Sequence, residues 1–301
     1  MIYTLTFNPA IDYVMHLDGF EKEAINRSND ENAYFGGKGL NVSYILSELG
    51  CKSTALGFVA GYVGEAIENM LAENGVICDF IKLEKGNSRI NVKLRHGGET
   101  DINGNGPEIE KHHIDALFDK LACINQNDFL IIAGSVPKNI DADIYANIAE
   151  FLKDKGVNLV VDTTGDLMLK ILKYNPFLIK PNNDELGELF STTVKTFEAC
   201  AEYGRKLQEM GARNVLVSMG GEGSVLVAED GNTYTLEATK GKLVNSVGAG
   251  DSMVAGFVAG YIEKNDYKYA HMLGSASGSA TAFSPWLANK QEINSILNQI
   301  L

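Results

Sequence analysis

Short apolar, β-branched runs alternate with helix-length amphipathic segments along most of this chain, and this alternation constrains its fold most strongly. The runs predicted as strands are 2–7, 53–58, 128–133, 158–162, 177–179 and 214–218. The predicted helices between them are 38–49, 65–74, 110–122, 143–154, 184–190 and 197–210. Repeated strand–helix–strand units imply right-handed crossovers and parallel strands. The sequence therefore predicts an α/β fold, with a mostly parallel central sheet between helices and, from about residue 225, a hairpin and three more helices.

One segment, residues 88–95 (S-R-I-N-V-K-L-R), departs from this pattern because it alternates with a strict period of two. Its apolar face carries Ile90, Val92 and Leu94, and its polar face carries Arg89, Asn91, Lys93 and Arg95. Such alternation is typical of a half-exposed antiparallel sheet. We expect a small inserted sheet built from about 10–32 and 87–106. A second subunit is the simplest cover for its apolar face, which predicts a homodimer; packing on its own domain is the alternative.

Charge and short motifs exclude several functional classes. The 39 acidic residues outnumber the 26 basic ones, and the net charge of -13 disfavours nucleic-acid binding. No apolar run reaches the roughly 18 residues of a membrane span, and the N-terminus lacks a signal-peptide pattern, so a cytoplasmic location is expected. The four cysteines form no C-x-x-C pair and the five histidines form no H-E-x-x-H motif, which argues against the common zinc motifs.

The glycine-rich segment before residue 251 is the strongest candidate for chemistry. Gly248, Ala249 and Gly250 precede Asp251 at the predicted start of an apolar helix. Small residues allow backbone amides to converge on an anion at a helix N-terminus. A carboxylate there is useful if it takes a proton from a hydroxyl that attacks a phosphate. The alternative is an ordinary N-cap aspartate after a turn.

A second glycine-rich turn, residues 36–41 (G-G-K-G-L-N), also opens a predicted helix. Lys38 can neutralise a phosphate and Asn41 can bind a sugar hydroxyl. Asp12 lies just beyond the first strand, at the edge of a parallel sheet where ligands gather. A turn with a helix cap explains much of the glycine-rich motif, and a turn aspartate after proline is an equal alternative for Asp12.

Two further segments offer oxygen ligands and flexible backbone. In Lys180-Pro181-Asn182-Asn183-Asp184-Glu185, the amide oxygen of Asn182 and the carboxylate of Glu185 are suited to Mg²⁺, with a simple helix start as the alternative. The loop after residue 217 contains Ser218, Gly220, Gly221 and Gly223 and is either a nucleotide-contacting loop or a glycine hairpin turn. Ser135 follows another strand in the same manner.

Together these motifs resemble those of the ribokinase-like sugar kinases, the PfkB carbohydrate kinase family. The signatures at 36–41 and 248–251 occur in the family's order, with its N-x-x-E magnesium motif at 182–185 and its nucleotide loop at 218–223 between them. The resemblance covers essentially the whole chain. It implies a three-layer α/β/α fold, a single kinase domain over residues 1–301, and a small inserted sheet that acts as lid and dimer interface.

Within the family, the chain resembles the branch that acts on phosphorylated ketohexoses. Asn245-Ser246 stands where many members have Asp-Thr, and 6–12 and 89–93 also match this branch. The resemblance implies ATP-dependent phosphorylation of fructose 1-phosphate at the 6-hydroxyl, giving fructose 1,6-bisphosphate. Tagatose 6-phosphate and fructose 6-phosphate are alternative substrates. A non-catalytic sugar-phosphate sensor is disfavoured because Asp251 and its glycines are intact.

The resemblance also implies a role for each candidate residue. Asp251 is the general base, and the amides of Gly248, Ala249 and Gly250 hold the transferring phosphoryl group. Mg²⁺ is organised by Asn182 and Glu185, and a monovalent cation is a further cofactor that the family allows. The residues implied to bind the sugar and its phosphate are Asp12, Arg27, Gly37, Lys38, Asn41, Arg89, Asn91 and Ser135. The residues implied to bind the nucleotide are Lys180, Asn182, Ser218, Gly220, Gly221, Gly223, Val247, Gly248 and Gly250. Arg27 is alternatively placed to reach a partner subunit's site.

Overall fold

The computed structural model describes residues 1–163 and 165–301. In chain order its strands are β1 (Ile2–Thr6), β2 (Ala10–His16), β3 (Asp30–Gly36), β4 (Thr54–Ala60), β5 (Ile77–Cys78), β6 (Ile81–Leu83), β7 (Arg89–Arg95), β8 (Glu99–Asn103), β9 (Phe129–Ala133), β10 (Asn158–Asp162), β11 (Leu178–Ile179), β12 (Asn214–Ser218), β13 (Gly223–Val227) and β14 (Thr233–Glu237). Its helices are α1 (Lys38–Glu48), α2 (Gly61–Glu73), α3 (Lys111–Ala122), α4 (Ile144–Leu152), α5 (Asp166–Leu172), α6 (Asn183–Leu189), α7 (Phe197–Glu209), α8 (Ala249–Lys264), α9 (Tyr267–Phe283) and α10 (Lys290–Ile300).

The central sheet runs in the order β14-β13-β12-β11-β10-β9-β1-β4-β5, with β6 also paired to β4. Six strands from β12 to β4 pair in parallel, whereas β13 and β14 form an antiparallel hairpin at one edge. Leu5 in β1 illustrates the register, since it lies beside Leu56 on one side and Ile132 on the other. All three side chains are buried, as expected where helices cover both faces of a parallel sheet.

The helices form two layers, each with its own apolar core. One layer contains α1, α2, α8, α9 and α10, and residues such as Leu40 and Phe257 pack there against the sheet. The other contains α3 to α7, with Leu117 and Leu207 in the opposite core. This arrangement confirms the predicted three-layer α/β/α fold. Within the part of the chain described, no helix is both long and apolar enough to cross a membrane.

The four remaining strands form a small separate sheet in the order β3-β2-β7-β8, called the lid sheet below. Strands β2 and β3 lie between β1 and α1, and β7 and β8 lie between β6 and α3. The outer pairs are antiparallel as predicted, but the central pair, β2 with β7, is parallel. The predicted first segment, 10–32, also stops too early, because β3 continues to Gly36.

The apolar face of the lid sheet is covered unevenly. Leu94 is buried against the rest of the chain, whereas Ile90 is 39% exposed and Ile102, on the neighbouring strand β8, is 58% exposed. Packing on its own domain therefore accounts for one end of this face only. The homodimer predicted from the sequence would cover the other end, and it stays a prediction.

An aromatic stack joins the lid sheet to the C-terminal part of the chain. Trp286, which lies between α9 and α10, stacks on Tyr34 of β3 with ring centroids 4.8 Å apart and planes at 15°. It also meets the edge of Phe35 at 4.8 Å. These contacts fix β3 against the loop that follows α9. Trp286 is the only tryptophan in the sequence.

Candidate active site

The N-terminus of α8 presents the glycine-rich segment that the sequence singled out. Gly248 caps the helix in the left-handed region at φ +82°, where glycine carries no Cβ penalty. Its carbonyl accepts a 2.8 Å bond from the Ser252 hydroxyl, which fixes the turn. Asp251 lies in the first helical turn and is buried. Its Oδ2 accepts a 2.7 Å hydrogen bond from Asn41 Nδ2, so the two glycine-rich motifs meet in space.

A second buried carboxylate, Asp162, lies at the end of β10, and the sequence analysis missed it. Its two oxygens face Lys38 Nζ at 3.2 Å and Lys180 Nζ at 3.4 Å. Burial opposes ionisation of Asp162, but Lys180 and Lys38 outweigh burial and hold its pKa below the usual range. Asp162 therefore keeps both lysines in place beside Asp251. A lone aspartate closing an apolar strand at the ligand-binding edge of the sheet was the available sequence signal.

The pKa of Asp251 shifts in the opposite direction. Burial is the largest cause, and repulsion from Asp162 adds to it, while Lys38, Asn41 and Lys180 oppose the shift. The net result raises the pKa of Asp251 to about 6. A carboxylate with a pKa near 6 is ionised at neutral pH but is a better proton acceptor than an ordinary aspartate. These properties suit a general base.

The lysines mark the place where phosphate charge would be neutralised. Although burial lowers the pKa of Lys38, attraction from Asp162 and Asp251 raises it further, so the ammonium stays charged. Lys180 lies against the start of α8, since a Cβ added to Gly250 would be 3.2 Å from its Nζ. The ammonium of Lys180 and the amide dipoles of α8 thus converge on one point, as an anion hole requires.

The lid sheet contributes a polar face on the other side of Asn41. Asp12 Oδ1 accepts a 2.7 Å bond from Asn91 Nδ2, whose own Oδ1 is buried without a partner among the residues described. Gly36 on β3 lies close to the Asp12 side chain, because a Cβ there would be only 2.7 Å from the Asp12 carboxyl carbon. Glycine at this position therefore leaves room for the Asp12 carboxylate.

Two of the three basic residues that the sequence places on this face, Lys93 and Arg95, are paired with carboxylates within the lid sheet. Lys93 pairs with Asp101 at 3.2 Å and lies 3.9 Å from Asp12. Arg95 pairs with Asp101 at 3.0 Å and with Glu99 at 3.9 Å.

Arg89 differs from these two residues. Its Nε donates a 3.1 Å bond to the carbonyl of Asn8, and it forms no ion pair with residues 1–163 or 165–301. Its guanidinium therefore keeps nitrogens available for an anionic ligand.

Two cavities adjoin the Asp251–Asn41 pair. The larger one, of about 920 Å³, is lined by Ala249, Gly250 and the predicted nucleotide loop, including Ser218, Gly220, Gly221 and Gly223, together with Asn182. The smaller one, of about 340 Å³, is lined by Asp12, Asn41, Lys93 and Trp286. Asn41 belongs to the smaller cavity and Gly250, the neighbour of Asp251, to the larger. Asp251 therefore lies where ligands from the two cavities would meet.

The structure places some predicted residues away from the walls of the expected cavity. Val247, expected on the nucleotide side, lines the smaller cavity. Arg27 is exposed in the loop between β2 and β3, and Ser135 is exposed in the loop after β9. Arg27, Ser135 and Arg89 line neither cavity in the part of the chain described. Ser135 nevertheless follows Gly134, where an added Cβ would be 4.0 Å from Lys38 Cβ, so it lies near the lysines of the site.

The predicted magnesium residues form the N-terminus of α6. Asn182 Oδ1 accepts from the backbone amide of Glu185 at 2.7 Å, and Glu185 Oε2 accepts from the Asn182 amide at 2.8 Å. This reciprocal capping box was the alternative explanation of the motif, and it is present. It leaves Glu185 Oε1 and a lone pair on Asn182 Oδ1 for other contacts. Hard oxygen donors beside Lys38, whose pKa Glu185 also raises, fit a water-mediated Mg²⁺.

Comparisons with known proteins agree with this geometry. A sequence model of the pfkB family carbohydrate kinases matches residues 5–293. The chain is 43% identical over 300 residues to 1-phosphofructokinase of Bacillus subtilis, with 100% of this chain and 98% of that protein covered. It is 36% identical to D-tagatose-1-phosphate kinase of Bacillus licheniformis, with 100% and 98% covered. Its fold superposes on Arabidopsis thaliana ribokinase with a TM-score of 0.81 at 19% identity, covering 98% of each chain.

Proposed function

Because the chain belongs to the pfkB family of carbohydrate kinases, we propose that it transfers the terminal phosphoryl group of ATP to the 6-hydroxyl of fructose 1-phosphate. The coarser activity, phosphoryl transfer to a sugar phosphate, follows from its family and its relatives. The observation that carries the proposed transfer is the position of Asp251. It follows Gly250, which lines a cavity large enough for a nucleotide, and it is bonded to Asn41, which lines a smaller polar cavity beside the lid sheet.

In the proposed reaction, the sugar phosphate occupies the smaller cavity with its acceptor hydroxyl toward Asp251. The Asp251 carboxylate takes the hydroxyl proton as the hydroxyl oxygen bonds to the γ-phosphorus, and the bond from that phosphorus to the ADP oxygen breaks. Negative charge on the transferring group is stabilised by the amides at the start of α8 and by Lys180. Asn41 holds the base through its 2.7 Å hydrogen bond.

Magnesium would be held through water by Asn182 and Glu185, and when bound it would neutralise charge on the nucleotide phosphates. Asp162 binds the lysines rather than the metal. It is the counter-ion of Lys38 and Lys180 until phosphate oxygens are present. A requirement for a monovalent cation is a further expectation, and replacing K⁺ with Na⁺ in the assay would test it.

The phosphate already on the substrate is assigned to Arg89. Lys93 and Arg95 are held by Asp101 and Glu99, whereas Arg89 has no carboxylate partner in the described chain. A guanidinium can bind phosphate through two parallel hydrogen bonds. We also assign the exposed part of the lid sheet's apolar face, including Ile90 and Ile102, to a homodimer interface.

Kinases of other ketohexose phosphates are the alternative, since one relative is named for tagatose 1-phosphate. A non-catalytic sensor is disfavoured, because binding alone requires neither a raised Asp251 pKa nor an anion hole beside it.

An assay of ADP release decides among these substrates when fructose 1-phosphate, tagatose 1-phosphate, fructose 6-phosphate, tagatose 6-phosphate and fructose are compared at equal concentration. We expect the highest kcat/KM with fructose 1-phosphate, and ³¹P NMR should identify the product as the 1,6-bisphosphate. A higher kcat/KM with another phosphosugar would make that sugar the substrate in place of fructose 1-phosphate. If none of these sugars leads to ADP release, the proposed kinase activity is rejected.

A further inference from the structure

A hydrogen-bonded chain of three side chains runs from the core to the wall of the larger cavity. His271 on α9 is fully buried, and its Nε2 lies 2.7 Å from Ser224 Oγ. Ser224 Oγ in turn lies 2.8 Å from Ser275 Oγ. Both serines line the larger cavity. The mechanism proposed above does not use His271. Burying an imidazole costs free energy unless its polar atoms are hydrogen-bonded, so its presence in the core calls for an explanation.

Ser275 keeps hydrogen-bonding capacity for a ligand in this cavity. Ser277 and Ser284, on and just after the same helix, donate to the carbonyls four residues earlier, Leu273 and Ala280. Ser275 makes no such bond within residues 1–163 and 165–301, and Ser224 is its sole side-chain partner there. Because Ser275 lines the cavity, its remaining hydrogen-bonding positions face a bound ligand.

The histidine tautomer decides which character Ser275 shows to the cavity. Burial lowers the pKa of His271 to about 3, so the ring is neutral and carries one proton. Its Nδ1 is buried and has no partner among the described residues. A proton on Nδ1 would leave an orphaned N–H, which is rarer in proteins than an orphaned acceptor. The proton therefore belongs on Nε2.

With this tautomer, each donor in the chain is directed toward the cavity. His271 Nε2–H donates to Ser224 Oγ. Ser275 is the sole other side-chain partner of Ser224 Oγ among the described residues, so the Ser224 proton is directed to Ser275 Oγ and the Ser275 proton is left for a ligand. The other tautomer would reverse every bond and present a lone pair. We propose that His271 is a positioning residue that fixes the Ser275 hydroxyl as a hydrogen-bond donor to a ring nitrogen of the purine base. This inference rests on the proposed kinase function, which places ATP in the larger cavity.

The tautomer can be observed directly, without any activity. In protein labelled with ¹⁵N-histidine, NMR of the ring nitrogens should show His271 protonated at Nε2 and unprotonated at Nδ1. The five histidines of the chain make assignment by single substitution practical. A proton on Nδ1 of His271 would overturn the proposal.

Binding of ADP by calorimetry tests the contact to the base. Ser275→Ala should weaken ADP binding roughly 2- to 10-fold, the range for one neutral hydrogen bond. The matched control is Ser277→Ala, which removes a hydroxyl bonded to the backbone of the same helix and should leave ADP affinity unchanged. Three analogues, 1-deaza-, 3-deaza- and 7-deaza-ADP, each lack one ring nitrogen. For one of them, affinity for wild type should be lower than that of ADP, whereas its affinity for Ser275→Ala should equal that of ADP for the same variant. If no analogue behaves this way, the purine contact is refuted.

Two variants test His271 itself. His271→Gln can still donate from its Nε2 and should retain ADP affinity, whereas His271→Met cannot donate and should approach the affinity of Ser275→Ala. If His271→Met and wild type bind ADP with equal affinity, His271 has no positioning role and is simply part of the core. If His271→Met does not fold, the NMR and Ser275→Ala experiments still decide. Failure of wild type to bind ADP at all would reject the kinase function, a result distinct from a wild type that binds ADP but is insensitive to Ser275.

Discussion

Asn41 donates a 2.7 Å hydrogen bond to Asp251 Oδ2, although the two residues are 210 positions apart in the sequence. The bond occupies one carboxylate oxygen and fixes the plane of the group. Across the described chain, Oδ1 of Asp251 accepts no hydrogen bond from a side chain. One oxygen is thus held by the protein while the other is available for the proton of a bound hydroxyl.

Asp251→Asn removes the proton acceptor while keeping the side-chain shape. Since general-base assistance is worth roughly 10²–10⁴-fold, kcat should fall by at least about 100-fold, whereas affinity for the phosphosugar should change much less. Steady-state kinetics on both variants, with binding measured by calorimetry, provides the comparison. Asp166→Asn, the same change in the first turn of α5, is the matched control and should retain activity. More than a tenth of wild-type kcat in Asp251→Asn would exclude Asp251 as the base.

The pH profile should report the same carboxyl group. Burial and Asp162 raise the pKa of Asp251 to about 6, so the protonated, inactive form accumulates as the pH falls below that value. We expect log kcat/KM for the phosphosugar to rise with a slope near one up to about pH 6 and then to level off. Initial rates from pH 4.5 to 8.5 at constant ionic strength measure this. A profile with its break near pH 4 would mean that Asp251 titrates as an ordinary aspartate.

Arg89→Ala should impair use of the phosphorylated substrate specifically. A charge-assisted contact is worth roughly 1.5–3 kcal/mol, so kcat/KM for fructose 1-phosphate should drop about 10- to 150-fold. The KM for ATP should hardly change, because the nucleotide is assigned to the other cavity. Arg205→Ala is the matched control, since this arginine on α7 donates to the Thr233 hydroxyl and, among the residues described, lines neither cavity, and it should leave kcat/KM unchanged. Equal losses on fructose and on fructose 1-phosphate would show that Arg89 does not read the phosphate.

Val92→Asp should convert the expected dimer to a monomer. The substitution places a charge between Ile90 and Leu94 on the apolar face, where a partner subunit would leave it buried and unpaired. Sedimentation velocity at micromolar concentration measures the change, and wild type should sediment as a dimer. Ile77→Asp, at an exposed apolar position outside the lid sheet, should leave the mass unchanged. A monomeric wild type under these conditions would contradict the interface.

The regular α/β elements could be predicted because burial on both faces produces continuous apolar strands. Strands β9 and β12 match the predicted bounds closely, and α7 does so for the amphipathic helices. In contrast, β3 was missed because D-E-N-A-Y-F-G contains no β-branched residue. Its extended form comes from pairing with β2, a tertiary contact. Helix α5, with seven residues, is too short for a periodic signal, whereas α6, of the same length, is marked by the acidic residues in its first turn.

The candidate site was predictable where glycine-rich motifs mark a helix start, as at Gly248 and Gly37. Asp162 closes an apolar strand, which is a weak signal, but its role could not be predicted because only the fold brings Lys38 and Lys180 to it. The ion pairs that neutralise Lys93 and Arg95 have the same origin. Their partner Asp101 lies on the opposite strand of a hairpin, and its register sets which charges meet.

The stack of Trp286 on Tyr34 gives this chain a built-in optical probe. Indole emission depends on the contacts of the ring, and Trp286 is the chain's sole tryptophan, positioned between β3 and the loop after α9. It also lines the smaller cavity, about 340 Å³ in size. Any rearrangement of that junction on sugar-phosphate binding would therefore change a single fluorescence signal, with no label attached. Stopped-flow mixing can then time the arrival of the sugar phosphate separately from the transfer of phosphate to it.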